Sequence, residues 1–217
     1  MKILTVSDEV CKALYDYYTP GKLDSYDLII SCGDLKPQYL SFLVTMTRVP
    51  LLYVHGNHDG GYEKTPPEGC DCIEDKLIVY KGLRILGLGG SRLYSGEPHQ
   101  YTESEMRWRI FKLWWKIHKH KGVDIVVSHA APAGVGDADD YAHRGFQEFI
   151  KFIDRYHPKY WVHGHTHMNY GVDMVRINEY NGTKVINAYE RYVLEIPNAE
   201  ILAAKKKDDI DYSYYSK

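Results

Sequence analysis

Short apolar runs recur along the chain, and each stops at a glycine or a polar residue. The five with the clearest pattern are Ile3–Val6, Leu28–Cys32, Leu51–Val54, Ile125–Val127 and Tyr160–Val162. Short runs that are almost entirely apolar, without polar alternation, are typical of strands buried on both faces, as in the interior of a parallel sheet. The pattern therefore predicts an α/β fold with a largely parallel arrangement of strands.

Segments with the spacing of amphipathic helices lie between these strands. They are Cys11–Tyr18, Pro37–Thr47, Glu103–His120 and Phe146–Tyr156. Thr102 followed by Glu105 predicts a capping box at the start of the longest helix. Its predicted apolar face consists of the residues that recur near the 3.6-residue period, which are Met106, Ile110, Phe111, Trp114 and Ile117.

Further β-rich stretches interrupt the alternation of strands and helices. Leu77–Leu88 contains a Lys81-Gly82 turn and predicts a hairpin. Three strand-like runs come late in the chain, at Val172–Ile177, Lys184–Ala188 and Tyr192–Ile196, and Asn181-Gly182 predicts a tight turn between the first two. No linker separates domains, so we expect one domain over residues 1–200 and an exposed, charged, tyrosine-rich tail over residues 201–217.

Metal-competent side chains follow the five principal strands, at the edge where open α/β sheets build their sites. These residues are Asp8, Asp34, Asn57, His129, His165 and His167. Any one of them alone is more typical of a residue that stabilises a turn, or of an ordinary polar group near a strand end. Their joint placement favours a metal site, and carboxylate with imidazole ligands suits zinc, manganese or iron.

Composition narrows the function classes. The 27 basic and 29 acidic residues give a formal charge of −2, so there is no bulk attraction to nucleic acid or to an anionic membrane, although a local basic surface is compatible with that balance. No apolar run approaches the length of a membrane span, and no signal-peptide pattern precedes the first strand. We therefore expect a cytoplasmic protein with neither a membrane nor a nucleic acid as its partner.

The strand-end motifs together resemble the calcineurin-like metallophosphoesterases. The resemblance runs from residue 1 to about residue 170 and rests on Asp8, Gly33-Asp34, Gly56-Asn57-His58-Asp59, His129 and Gly164-His165-Thr166-His167. It implies a two-sheet β-sandwich flanked by helices, in a four-layer α/β/β/α arrangement. It also implies hydrolysis of a phosphomonoester, a phosphodiester or a nucleic acid at a two-metal site.

The same resemblance implies a role for each motif residue. Asp34 would bridge two divalent ions, Mn²⁺ or Fe/Zn. Asp8 and His167 would bind the first ion, whereas Asn57, His129 and His165 would bind the second. His58 would sit beside the phosphate as a proton donor or charge stabiliser, and Asp59 would orient His58.

One position departs from the family pattern, which begins Asp-x-His. Here the sequence reads Asp8-Glu9-Val10, and valine cannot coordinate a metal. We expect Glu9 to point away from Asp8, a water to replace the missing ligand, and the first site to be weak or partly occupied. Two readings remain open. One is an enzyme that hydrolyses a small phosphodiester or phosphomonoester through a water bridging the metals. The other is a degenerate phosphoesterase that binds a nucleotide or a partner with little or no catalysis.

Two further residues are candidates for contact with substrate. Arg92 follows Gly89-Gly90-Ser91, where it could hold a phosphate or be a surface residue beside a glycine turn. His143, with Asp137, lies in an irregular segment after His129, which we interpret as a loop over the site or as a solvated surface loop. The sequence leaves the physiological substrate and the oligomeric state open.

Overall fold

The computed structural model describes residues 1–168 and 175–197 of the chain. The helices in this part are α1 (Pro37–Thr45), α2 (Glu103–Lys119) and α3 (Gln147–Tyr156). The strands are β1 (Lys2–Val6), β2 (Leu28–Ser31), β3 (Leu51–Tyr53), β4 (Asp71–Cys72), β5 (Lys76–Tyr80), β6 (Leu83–Leu88), β7 (Ser91–Arg92), β8 (Gln100–Tyr101), β9 (Ile125–Ser128), β10 (Tyr160–His163), β11 (Ile177–Tyr180), β12 (Thr183–Asn187) and β13 (Tyr192–Glu195).

The strands form two main sheets and one small pair. The first sheet has the order β13-β1-β2-β3-β4, the second has the order β11-β12-β10-β9-β6-β5, and β7 pairs with β8. Neighbours from β1 to β4 and from β6 through β9 and β10 to β12 are parallel. Antiparallel strands are confined to the edges, at β13, β5 and β11. The largely parallel interior predicted from the apolar runs is confirmed.

The two sheets pack face to face, and the residues of each central strand alternate between two cores. Ile125 and Val127 of β9 face the core between the sheets, together with Ile30 of β2. Val126 points the other way and packs with α2 and α3. The outer face of the first sheet is covered by α1 and by the segment before β2. Because both faces of the strands are buried, their sequences are apolar throughout.

Helix α2 begins where the sequence predicts but buries a different face. The capping box is present, with the Thr102 side chain accepting from Glu105 N and the Glu105 carboxylate accepting from Thr102 N. Met106 and Ile117 are buried as predicted, whereas Phe111 and Trp114 are exposed. That part of the prediction is wrong because the buried stripe is completed by Leu113 and by the aliphatic stem of an ion-paired Arg109.

The predicted helix at Cys11–Tyr18 does not form. This segment is a series of turns, closed by bonds such as Leu14 N to Cys11 O at 2.9 Å and Tyr17 N to Lys12 O at 2.9 Å. Its anchors, Cys11 and Leu14, are one turn apart and reach the core without a longer helix. The tyrosine- and aspartate-rich residues that follow are weak helix formers and lead into Pro20-Gly21.

Both predicted tight turns are confirmed. Lys81 and Gly82 between β5 and β6 have φ of 46° and 85°, and Asn181 and Gly182 between β11 and β12 have φ of 48° and 79°. Two consecutive positive φ values are the signature of the two-residue hairpin turn that matches strand twist. Half of the predicted strand Val172–Ile177 lies outside the described residues, and in its described half only Ile177 belongs to a strand, β11. The tail over residues 201–217 lies wholly outside them. In the described part of the chain no helix is long and apolar enough to cross a bilayer.

Candidate metal centre

The six predicted metal ligands follow the carboxyl ends of strands from both sheets. Three come after strands of the first sheet and three after strands of the second, in the order Asp8, Asp34 and Asn57, then His129, His165 and His167. The sandwich places these two sets of loops at the same end of the molecule. Residues far apart in the chain are therefore brought into contact, as His167 and Asp8 show.

The tightest part of the cluster surrounds His129. Its Nε2 atom lies 2.9 Å from Asn57 Oδ1 and 3.2 Å from Asp34 Oδ2. Ligand atoms of Asp34, His129 and His165 all lie within 4.8 Å of one another. Two oxygens and imidazole nitrogens that converge on one small volume form a donor set suited to a divalent transition metal.

Asp8 and His167 form the adjoining part of the cluster. His167 Nε2 is 3.8 Å from Asp8 Oδ1, a separation that two ligands of one ion can have. The Asp8 carboxylate also accepts from the backbone N–H of His165 at 3.0 and 3.1 Å. Asp8 is buried to 1% side-chain exposure, whereas His167 is 34% exposed. Of this pair, His167 is therefore the residue nearer to solvent among the described residues.

The backbone holds three of these residues in an unusual conformation. Asp8, Asp34 and His165 have φ of 63°, 57° and 65°, in the left-handed region that non-glycine residues seldom occupy. Such strain persists where the surrounding structure imposes it, and it concentrates at functional sites. The neighbouring glycines permit close approach: a Cβ at Gly56 would lie 2.0 Å from Asp34 Oδ1, and one at Gly164 would lie 2.6 Å from Asp8 Oδ2.

The surroundings of His129 favour a positive charge at this point of the centre. Its Nδ1 is 2.8 Å from the carbonyl of Cys32 and must carry a proton to bond there, which leaves Nε2 facing two oxygens. Burial by itself lowers the pKa of His129, but the carboxylates of Asp34 and Asp8 outweigh it and raise the pKa to about 10. A metal cation facing Nε2 would meet the same electrostatic demand, so the residues present fit a bound divalent ion.

The pKa shifts of Asp34 and His165 also fit a bound divalent ion. Burial raises the pKa of Asp34, yet the charge of His129 overrides it and holds the pKa below its ordinary value. Burial and the nearby charge of His129 lower the pKa of His165 to about 3, so its imidazole is neutral and able to ligate.

The Asp59 carboxylate binds backbone N–H groups beside the metal ligands. Its Oδ2 accepts from the backbone N–H groups of Asp34 and Gly56, both at 2.8 Å. Among the described residues no bond joins it to the His58 ring, so the role in orienting that ring, which the family resemblance implies, stays a prediction. Burial and the charge of Asp34 raise the pKa of Asp59 to about 6. His58 itself is exposed, and its backbone N–H donates to Asp34 Oδ1 at 2.8 Å.

Val10 and Glu9 are both occupied outside the metal centre. Val10 packs against the apolar cluster beneath the first sheet, so its side chain belongs to that core. The Tyr189 hydroxyl donates to the Glu9 carboxylate, and the Tyr189 ring lies 4.9 Å from that of His167. Glu9 therefore holds Tyr189, which lies beside the predicted ligand His167. Val10, at the position of the missing histidine, makes an apolar contact instead.

The two candidate substrate residues have different surroundings. The His143 ring lies 4.8 Å from the His165 ring, and its Nδ1 lies 2.8 Å from Asp140 Oδ1, which places it beside the cluster. Arg92 Nε is 3.9 Å from Glu103 Oε1 at the start of α2, and none of the contacts in residues 1–168 and 175–197 joins it to the metal ligands. Asp137 braces the loop by accepting from Gly134 N and Gly145 N, both at 2.8 Å.

Two features near the centre were missed in the sequence. Tyr94 accepts from Asn57 Nδ2 at 3.0 Å and so fixes which way this amide faces. The second is a separate group, His55, Glu74 and His99, whose ligand atoms also lie within 4.8 Å of one another. The Glu74 carboxylate already pairs with the His55 ring and with the Arg109 guanidinium, which lies 2.8 Å away. This group is therefore an ion-pair network. Only the fold brings these residues together, since they belong to no motif.

The architecture and the strand-end cluster define a metallophosphoesterase-like protein. The family description "Calcineurin-like phosphoesterase" matches residues 8–169, three quarters of the chain, and the chain belongs to this family. It is 22% identical over 205 residues to UPF0046 protein K07C11.7 of Caenorhabditis elegans, with 79% of this chain and 65% of that relative covered. The chain thus spans just under two thirds of that relative's length.

Solved structures support the same fold. The crystal structure of TT1561 of Thermus thermophilus superposes with a TM-score of 0.57 at 17% identity, covering 87% of this chain and 89% of the other. A second crystal structure superposes with a TM-score of 0.60 at 15% identity, covering 89% and 94% of the two chains. The fold implied by the sequence resemblance is therefore confirmed.

Proposed function

We propose that this protein hydrolyses a small phosphodiester or phosphomonoester at a centre of two divalent cations. Family membership supports metal-dependent phosphoester chemistry in general. The observation that carries the proposal is the convergence of Asp34, Asn57 and His129 around one point, at 2.9 and 3.2 Å, with the Asp8–His167 pair adjoining it.

The resemblance to the family assigns the ligands, and these contacts support that assignment. Asn57, His129 and His165 would hold one cation, Asp8 and His167 would hold the other, and Asp34 would contact both. When bound, the cations would supply Lewis-acid polarisation of the phosphoryl group and activation of the attacking water. Manganese, iron and zinc all suit this mixture of carboxylate, amide and imidazole ligands.

His58 is the residue placed to act on the substrate itself. It is exposed at the mouth of the centre, while its backbone N–H is fixed to the Asp34 carboxylate. Its ring is free of a metal role in this arrangement, so it would stabilise charge on the phosphate or protonate the leaving oxygen. Asp59 would act indirectly, by accepting hydrogen bonds that hold the backbone of Gly56 and Asp34 in place.

His143 is the better of the two candidates for contact with substrate. It lies beside His165 at the edge of the centre, and its pairing with Asp140 fixes the ring. A phosphate oxygen next to His165 would therefore be within reach of a ring N–H. Arg92 has a carboxylate partner elsewhere and supports this role less well.

The competing proposal is a protein that binds a nucleotide without cleaving it. The observation that favours it is Val10, which packs into an apolar cluster where the family pattern has a metal ligand. A weakened first site would reduce turnover while leaving phosphate binding in place. The experiment below separates the two.

Hydrolysis of bis-p-nitrophenyl phosphate and p-nitrophenyl phosphate with added manganese tests the proposal directly. The wild-type protein should turn over at least one of them, and His58→Ala should lose about 10²- to 10⁴-fold in rate with its metal content unchanged. His118→Ala, an exposed histidine on α2, is the matched control and should behave as wild type. Metal-loaded wild-type protein that binds a nucleotide but cleaves neither substrate would support the competing proposal.

A further inference from the structure

Helix α2 carries a second apolar face, directed away from the protein. Trp108, Phe111 and Trp115 are 59%, 62% and 64% exposed, and the adjoining Trp114 is 42% exposed. At roughly 150–250 Å² for each aromatic side chain, these four expose on the order of 500 Å². That area is at the upper end of the largest apolar patch on a typical monomer, where patches often have a function.

The geometry of the helix explains why these residues form one ridge. Successive residues turn by about 100°, so Trp108, Phe111 and Trp115 share one side, opposite the buried Met106 and Leu113. We call these three residues the aromatic ridge. The rings of Trp108 and Phe111 stack with centroids 5.3 Å apart, which keeps them ordered as a unit on the surface.

Positive charge flanks the aromatic ridge on one side. The sequence from Met106 to Val123 contains no acidic residue, and its exposed basic side chains are Arg107, Lys112, Lys116, Lys119 and Lys121. Lys112, Lys116 and Lys119 flank the ridge along one side. The net charge of −2 for the whole chain hides this local concentration. A line of exposed tryptophan and phenylalanine bordered by lysines complements an anionic, partly apolar partner.

The position of α2 decides what kind of partner fits. The helix covers the outer face of the second sheet, so the aromatic ridge lies on the outermost layer of the molecule. Single-stranded nucleic acid is bound by bases that stack on open aromatic faces, whereas here Trp108 and Phe111 stack on each other. A second copy of the same helix would bring lysine against lysine.

From this charge pattern and the outermost position of α2 we infer that α2 is a membrane-docking surface for bilayers that contain anionic lipids. The aromatic ridge would enter the interfacial region, where tryptophan is favoured, while the lysines would reach the lipid headgroups. This is peripheral attachment by the face of a folded helix. It departs from the sequence-based expectation of no membrane partner, which rested on the overall charge and on the absence of a membrane-spanning run.

Vesicle co-sedimentation of the full chain tests the inference. Binding should be strong to vesicles of phosphatidylcholine with roughly one quarter phosphatidylserine, weak to phosphatidylcholine alone, and reduced by salt. Combined Trp108→Ala, Phe111→Ala and Trp115→Ala should lower the partition coefficient at least about 100-fold. Combined Lys112→Glu, Lys116→Glu and Lys119→Glu should lower it at least about tenfold. Tyr17→Ala, which removes a 72% exposed aromatic on the opposite layer, is the matched control and should bind as wild type.

Thermal unfolding and hydrolysis of bis-p-nitrophenyl phosphate establish that the variants are folded. When anionic vesicles are added to the wild type, its tryptophan emission should shift to the blue. The inference is overturned if the wild type ignores anionic vesicles. It is also overturned if both sets of substitutions leave binding unchanged, if the aromatic substitutions abolish a dimer in place of vesicle binding, or if the ridge binds a single-stranded oligonucleotide in preference to vesicles.

Discussion

Replacing Gly56 by alanine should disable the metal centre through one methyl group. The new Cβ would lie 2.0 Å from Asp34 Oδ1 and 2.6 Å from both Asp34 Cγ and Asp34 N. Ordinary contact begins at 3.4 Å, so the carboxylate would have to retreat by about 1.4 Å. Rotation of the side chain alone cannot relieve the clash, because the backbone nitrogen of Asp34 is also too close.

The retreat of Asp34 has consequences for both binding and rate. It would break the 2.8 Å bond from His58 N and change the 3.2 Å separation from His129 Nε2. Overpacking of this kind costs about 1–3 kcal/mol of stability. A displacement of about 1 Å at a catalytic centre costs on the order of 10²-fold in rate. We therefore expect Gly56→Ala to lose metal and to fall at least about 100-fold in kcat/KM.

Gly61→Ala is the matched control, since a Cβ at this position meets nothing within 4 Å. It should change the free energy of unfolding by less than about 0.5 kcal/mol and leave metal content unaltered. The assays are metal count per chain by mass spectrometry, hydrolysis of bis-p-nitrophenyl phosphate, and thermal unfolding of the metal-free protein. A Gly56→Ala protein with wild-type metal content and rate would refute the argument that close packing of this glycine sets the position of Asp34.

Four other substitutions probe the ligand assignments. Asp34→Asn should lose both cations, because an amide brings no charge to the point shared by the two sites; two tightly held ions in this variant would show that Asp34 does not bridge. Val10→His should strengthen the weaker of two metal-binding steps in a titration, whereas Glu9→Gln should leave both unchanged; the reverse pattern would make Glu9 the ligand. Tyr94→Phe should weaken metal binding by about 10- to 100-fold by releasing the amide of Asn57, and unaltered affinity would limit Tyr94 to packing.

The sequence by itself determined which strands the metal ligands follow. It also determined the two hairpin turns. The apolar runs identify strands buried on both faces, and residues such as Asp34 and His129 follow those strands directly. Both Lys81-Gly82 and Asn181-Gly182 form the predicted turns, because two consecutive positive φ values depend on the residues of the turn itself. These features are local, so the sequence carries them without reference to distant parts of the chain.

Tertiary packing decided the rest. Whether Phe111 of α2 faces the core or the solvent depends on which side of the helix packs against the second sheet. The side that packs there contains the ion-paired Arg109. Asp59 bonds to backbone amides because the chain folds two loops against each other there, which its motif does not reveal. Tyr94 and Glu9 gained their partners in the same way. Contacts between distant segments depend on how the layers pack, and no local pattern in the sequence encodes that packing.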